Sequence, residues 1–162
     1  HTSRSVCLRE VQKVNIMGID PGADGAVALI APDHSAELYG FKGLTTLELW
    51  ELIVKLSIDP VTCYLELTGP TPHDGVVSAA KFGERRGELH MALTAAKIPF
   101  TRIPPGIWQR SFGLGKKFAT TTLRKTAHLQ RAQELFPHLK ILKPRADALL
   151  IAEYGYRALY RK

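Results

Sequence analysis

Three carboxylates in this sequence stand where side chains could share one metal ion. Asp20 closes the first apolar run of "IMGIDPGADGAVALI" and is followed at once by Pro21-Gly22. Glu66 ends a second apolar run, "VTCYLEL", and Asp147 lies near the start of "RADALLIAEYG". Magnesium prefers hard oxygen ligands and keeps several of its waters, so two or three converging carboxylates suffice to hold it. Paired ions of this kind activate a water and stabilise the leaving oxygen of a phosphodiester. Taken singly, each acid has a plainer explanation. Asp20 can open a turn through its own side chain, and Asp147 suits the first turn of a helix, where the dipole favours an acid. Glu66 is harder to dismiss, because a carboxylate in an apolar strand needs a partner.

The metal chemistry requires elements that bring residues 20, 66 and 147 together. Val14 to Asp20 and Gly25 to Ile30 read as apolar strands, and Glu37 to Lys42 as a third. The short turns between them predict an antiparallel meander. Thr45-Thr46 caps a helix carrying Leu47, Trp50, Leu52, Ile53 and Leu56 at helical spacing, and Asp59-Pro60 ends it. Val61 to Leu67 is a fourth strand. After the polar loop "TGPTPHDG" a long helix is expected from about Val76 to Lys97, then a fifth strand from Pro99 to Ile103. Further helical stretches follow at 107–112, 123–136 and 145–160, with "GLGKKFATTT" as a basic loop.

Three consecutive strands followed by helix-linked strands predict an α/β fold with a mixed sheet and helices on both faces. This is the element order of the ribonuclease H-like fold. In such a sheet strands one and four are parallel neighbours. Asp20 and Glu66 would then end side by side, beneath the start of the last helix.

Composition narrows the partner. The 162 residues suit one domain, expected over 14–162, with 1–13 a loose terminus or cloning remnant. Lysine and arginine number 22 against 15 acids, a formal charge of +7 that suits a polyanion, nucleic acid first. No apolar run approaches the roughly 20 residues that cross a bilayer, so no membrane partner is expected. Cys7 and Cys63 are far apart and lack metal-ligand spacing. Cys63 reads as a buried thiol, and this cysteine usage favours an intracellular setting.

Four segments, "GIDPGADGAVALI", "YLELTGPTPHDGVVSAAKFGERRGEL", "PFTRIPPGIWQRSFGLGKK" and "RADALLIAEYG", cover most of residues 14–160 in order. In them the chain resembles the RuvC-type Holliday junction resolvases, especially the short RuvC-like proteins of bacterial, phage and chloroplast lineages. The resemblance implies Asp20, Glu66 and Asp147 as ligands of magnesium, with manganese an accepted substitute. It implies a homodimer that cuts two strands of a four-way DNA junction symmetrically, leaving 5′-phosphates. It places the protein in a bacterial or phage-host cytoplasm or a chloroplast nucleoid. It also implies that "HDGVVSAAKFGERRG" faces the junction, with Gly75, Ser78, Phe82 and Gly83 at the family's positions. Small residues there let backbone approach DNA closely. Phe82 either wedges or stacks against a base or belongs to the core. Arg85, Arg86, Lys116 and Lys117 are the nearby cations expected to meet phosphate.

One position departs from the family. Relatives carry a His or Asp three to five residues before the last acid, whereas Lys143 stands here. An ammonium has no acceptor and cannot bind magnesium while protonated, yet it can sit beside the scissile phosphate as a point charge. If residue 143 is a bystander, the fourth group must come from elsewhere, for example Glu153 or water. The competing reading is a catalytically weak or inactive module that holds branched DNA. An actin-like ATPase, the third reading, would need a second nucleotide-binding half and another Asp-Gly phosphate turn after a later strand, and neither is expected of this sequence. "FGLGKK" lacks the phosphate-loop spacing. His73 and His128 show no ligand spacing, and no metal role is expected of them.

Overall fold

The computed structural model describes residues 13–161. The expected terminal tail therefore falls, apart from Lys13, outside the described residues, as does Cys7. Strands β1 (Asn15–Asp20), β2 (Ala26–Ile30) and β3 (Ala36–Gly40) form the antiparallel meander. Helix α1 (Thr46–Leu56) leads to β4 (Val61–Glu66), which lies parallel to β1. Helix α2 (Val76–Ala95) leads to β5 (Phe100–Ile103), parallel to β4, and the sheet order is β3-β2-β1-β4-β5. Helices α3 (Pro105–Ser111) and α4 (Thr121–Leu135), a single 3-10 turn (Lys143–Arg145) and α5 (Ala146–Tyr160) complete the fold. This is the expected ribonuclease H-like mixed sheet.

Local chemistry sets the element ends. Thr45 caps α1 reciprocally with Glu48: its hydroxyl accepts the Glu48 N–H, and the Glu48 carboxylate accepts the Thr45 N–H at 2.7 Å. Pro105 does more than stop β5. It occupies the first turn of α3, where its missing N–H costs nothing, so α3 begins before the expected Ile107. The third strand ends at Gly40 rather than Lys42. There the chain turns, with the Leu44 N–H donated to the Phe41 carbonyl and Gly43 in the left-handed region at φ +80°.

Helices cover both faces. On one, α1 and α2 bury Leu49, Ile53, Leu89 and Leu93 against Met17, Ile19, Cys63 and Leu65 of the strands. On the other, α5 lies along β1 and β2, with α3 and α4 beside it. Ten of the fifteen residues of α5 are buried, so it runs through the core rather than over it. Gly18 permits this: a Cβ there would strike the backbone of Ala148 and Ala152. Cys63 is a buried free thiol, as expected, and burial pushes its pKa up, which makes it unreactive.

Candidate active site

Parallel pairing of β1 and β4, with Ile19 beside Leu65, brings Asp20 and Glu66 to neighbouring strand ends. Asp147, in the first turn of α5, faces the same place. All three line one open cavity of about 470 Å³, together with Arg124, Lys125 and Lys143. Each acid is more than nine-tenths buried. Asp20 also makes the turn that its sequence allows, since the Gly22 N–H donates to its Oδ1 at 3.0 Å. Turn former and site acid are thus one residue.

The cavity sets the protonation of these acids. Burial, then the charges of Asp20 and Asp147, pushes Glu66 up to about 8, against one lowering hydrogen bond from Trp108 and the charge of Lys125. Burial, then Asp147, also raises Asp20. Burial pushes Asp147 the same way, but there a hydrogen bond from His128 and the charge of Lys125 outweigh it and hold the carboxyl below its ordinary value. Three crowded acids therefore repel one another, and a bound cation would relieve that repulsion.

Two residues of the site, Lys125 and Trp108, went unnoticed in the sequence, and His128 was passed over for want of ligand spacing. Lys125 Nζ donates to Asp147 Oδ2 at 2.6 Å, and its pKa is raised: burial lowers it, but Asp147 more than offsets that. His128 Nδ1 lies 2.7 Å from Asp147 Oδ1. Trp108 Nε1 donates to Glu66 Oε1 at 3.0 Å. What signals the sequence held named no partner. Lys125 and His128 are three apart on a helix and so share a face, and a buried indole needs an acceptor.

Lys143 sits in the 3-10 turn at the cavity wall, its Nζ donating to Thr126 Oγ1 at 3.1 Å. Glu153 is not the missing fourth group. It lies nearly two turns further along α5, fully buried. There His34 Nε2 is 2.6 Å and Arg157 Nε 2.8 Å from its carboxylate.

Of the residues expected to face DNA, Ser78, Phe82 and Arg85 line a second cavity of about 660 Å³. It is also lined by Pro21, and it shares Ala23 with the site. Phe82 belongs to neither apolar core; it is half-buried, with the Arg86 guanidinium 6.0 Å from its ring centre. Gly75 and Gly83 face open space. Arg85 is partly engaged within the fold, by Glu88 at 3.2 Å and the Leu44 carbonyl at 3.3 Å. Arg86 reaches the Thr68 carbonyl at 3.5 Å. Lys116 and Lys117 are exposed on the loop before α4.

Among the described residues no three His, Cys, Asp or Glu side chains stand close enough to enclose an ion as they are placed. The donor set nonetheless fits magnesium. The oxygens are hard, and Asp20 Oδ2 and Glu66 Oε2 accept no hydrogen bond among the described residues. Asp147 is the acid held back, with one oxygen on Lys125 and the other on His128.

Sheet order, the meander and the carboxylates at its parallel strand ends define a RuvC-type, ribonuclease H-like fold. No family model matches the sequence, and no curated protein does. Among solved structures the chain is similar to Thermus thermophilus RuvC in complex with a Holliday junction substrate. That likeness covers 91% of this chain and 94% of the other, at 18% identity and a TM-score of 0.64. A second Thermus thermophilus RuvC structure matches over 90% and 95% of the two chains, at 17% identity and a TM-score of 0.59. At this identity the likeness establishes the fold, as the sequence led us to expect.

Proposed function

We propose that this protein is a magnesium-dependent, structure-selective endonuclease that cuts four-way DNA junctions as a homodimer. The observation that carries the reading is the convergence of Asp20, Glu66 and Asp147 on one cavity of a RuvC-type fold. Asp20 and Glu66 would hold the metal through their free oxygens, with Asp147 as the third ligand and manganese able to substitute. When bound, the ion supplies Lewis-acid charge on the phosphate and a nucleophilic water. Arg124, Lys125 and Lys143 place cations around the phosphate, and the adjoining cavity beneath Ser78, Phe82 and Arg85 offers a path for a strand.

A second reading, a module that binds branched DNA without cutting it, draws support from Asp147. The Lys125 ammonium, 2.6 Å from its Oδ2, already supplies that carboxylate with a cation. One experiment separates the two: pure protein with a synthetic four-way junction, with and without magnesium. Paired nicks with 5′-phosphate ends, formed only with the metal, are expected. Binding should favour the junction over linear duplex and fall steeply with salt, as lysine and arginine displace condensed counterions. Junction binding without cutting in either magnesium or manganese would select the second reading. Equal affinity for linear duplex at every salt level would sink both.

The second copy of the homodimer would seat in the groove between α1 and α2. It encloses about 530 Å³ and is lined by Leu49, Trp50, Met91, Ala92 and Ala95, with Met91 67% exposed. A two-fold interface must meet itself, and an apolar patch does so without like-charge repulsion. Trp50→Glu is therefore expected to shift the mass in solution, by light scattering, from dimer to monomer. An unchanged dimer would place the interface elsewhere.

A further inference from the structure

Two fully buried rings touch the site from outside the cavity, Trp108 on α3 and His128 on α4. Each brings a ring nitrogen to a different carboxylate: Trp108 Nε1 to Glu66 Oε1 at 3.0 Å, and His128 Nδ1 to Asp147 Oδ1 at 2.7 Å. The rings also meet one another, edge to face, with centroids 5.3 Å apart and planes at 72°. Phe118 presents a second edge-to-face contact to the imidazole, at 6.4 Å. The two acids are thus joined through a pair of rings in mutual contact.

Packing alone does not explain this choice of side chains. Apolar side chains could occupy much of the same volume with no polar atom to satisfy. An ionised carboxylate only accepts, so the imidazole must donate from Nδ1. Its Nε2 is then left buried with no partner among the described residues, at a cost to stability. That cost is tolerated for the bond to Asp147. The bond does not block a metal, because each carboxylate oxygen has two lone pairs and the ring occupies one.

We propose that Trp108 and His128 form a brace that fixes Glu66 and Asp147 in the orientations that receive a divalent cation. They are positioning residues: they act through the two acids and touch no ion or substrate. The inference rests on the nuclease reading. It adds that metal affinity depends on hydrogen bonds supplied by two helices that contribute no ligand. Removing such a bond from a metal ligand typically weakens binding by about 10–100-fold.

The test is manganese binding to the metal-free full chain, followed by titration calorimetry and by the electron paramagnetic resonance of the free ion. His128→Leu, which keeps bulk, and Trp108→Phe, which keeps one aromatic ring, both lose the donor and are expected to weaken binding by about 10–100-fold. His128→Asn, whose amide nitrogen can stand where Nδ1 stood, is expected to restore most of that affinity. Thermal unfolding of the metal-free Leu and Asn variants should fall alike, since both lose the ring. A purely structural histidine would give matching losses of stability and no difference in manganese affinity, and that result overturns the brace. Should His128→Leu not fold, Trp108→Phe decides alone, and unchanged affinity there overturns it equally. Wild-type protein that takes up no manganese would instead sink the nuclease reading, and the brace with it.

Discussion

Asp20→Asn is expected to give a protein that holds a four-way junction and does not cut it. The substitution keeps the shape of the site, since the asparagine Oδ1 can still accept the Gly22 N–H and preserve the turn. What disappears is the negative charge that would hold the cation. A metal ion contributes several kcal/mol of charge stabilisation at the phosphate. Losing about 4 kcal/mol of it slows cleavage roughly 10³-fold. Junction affinity should hold or rise slightly, because one fewer negative charge faces the phosphates. The measurement pairs single-turnover cutting of a saturated junction with binding at the same salt. Cutting by Asp20→Asn at the wild-type rate would remove Asp20 from the metal site.

Neutralising Glu66 is expected to remove most of the alkaline loss of stability in the metal-free protein. Its pKa is raised to about 8 from an ordinary 4.5, so the folded chain binds a proton that the unfolded chain has already released. The stability tied to this group is therefore complete below about pH 4.5 and lost as pH climbs through about 8. Converted at 1.36 kcal/mol per pH unit, the loss by pH 9 is about 3–5 kcal/mol. In a domain of this size that is roughly 10 °C of melting temperature. Glu66→Gln cannot ionise, and its Oε1 can keep the Trp108 bond, so its melting curve in chelator should be nearly flat between pH 6 and 9. Asp20, shifted the same way, supplies the residual slope. In the wild type a cation competes with the proton on Glu66, so half-saturating magnesium should fall as pH rises toward 8. A wild-type protein whose metal-free stability does not change from pH 6 to 9 would show that Glu66 is not held protonated.

The backbone plan was legible because apolar runs and turn residues are local signals. Asp20-Pro21-Gly22, Thr45-Thr46 and Asp59-Pro60 each mark an end within reach of their own neighbours. The meeting of Asp20 and Glu66 followed from strand order, and that of Asp147 from the place of the last helix in the same element order. Lys125, His128 and Trp108 escaped for a different reason. Their partners lie 22, 19 and 42 residues away, and nothing in the intervening sequence states that α3 and α4 lean on the strand ends. Lys143 drew attention by its place relative to Asp147. The fold gives it Thr126 as a partner and leaves the contact with Asp147 to Lys125 and His128. Glu153 looked available because it shares α5 with Asp147, but His34 and Arg157 hold it away from the cavity.

The missing side chain at Gly18 bears on how such a protein can change over evolutionary time. Asp20 is two residues beyond Gly18, and Asp147 directly precedes Ala148, whose carbonyl a side chain at position 18 would strike. The gap between the two acids is therefore gauged by main chain resting on main chain, as a spacer gauges two plates. Side chains elsewhere in the core can be exchanged without moving that gauge. A lineage could then drift through most of its alphabet while the acids stay in register. A position this hard to replace is then a residue with no chemistry of its own.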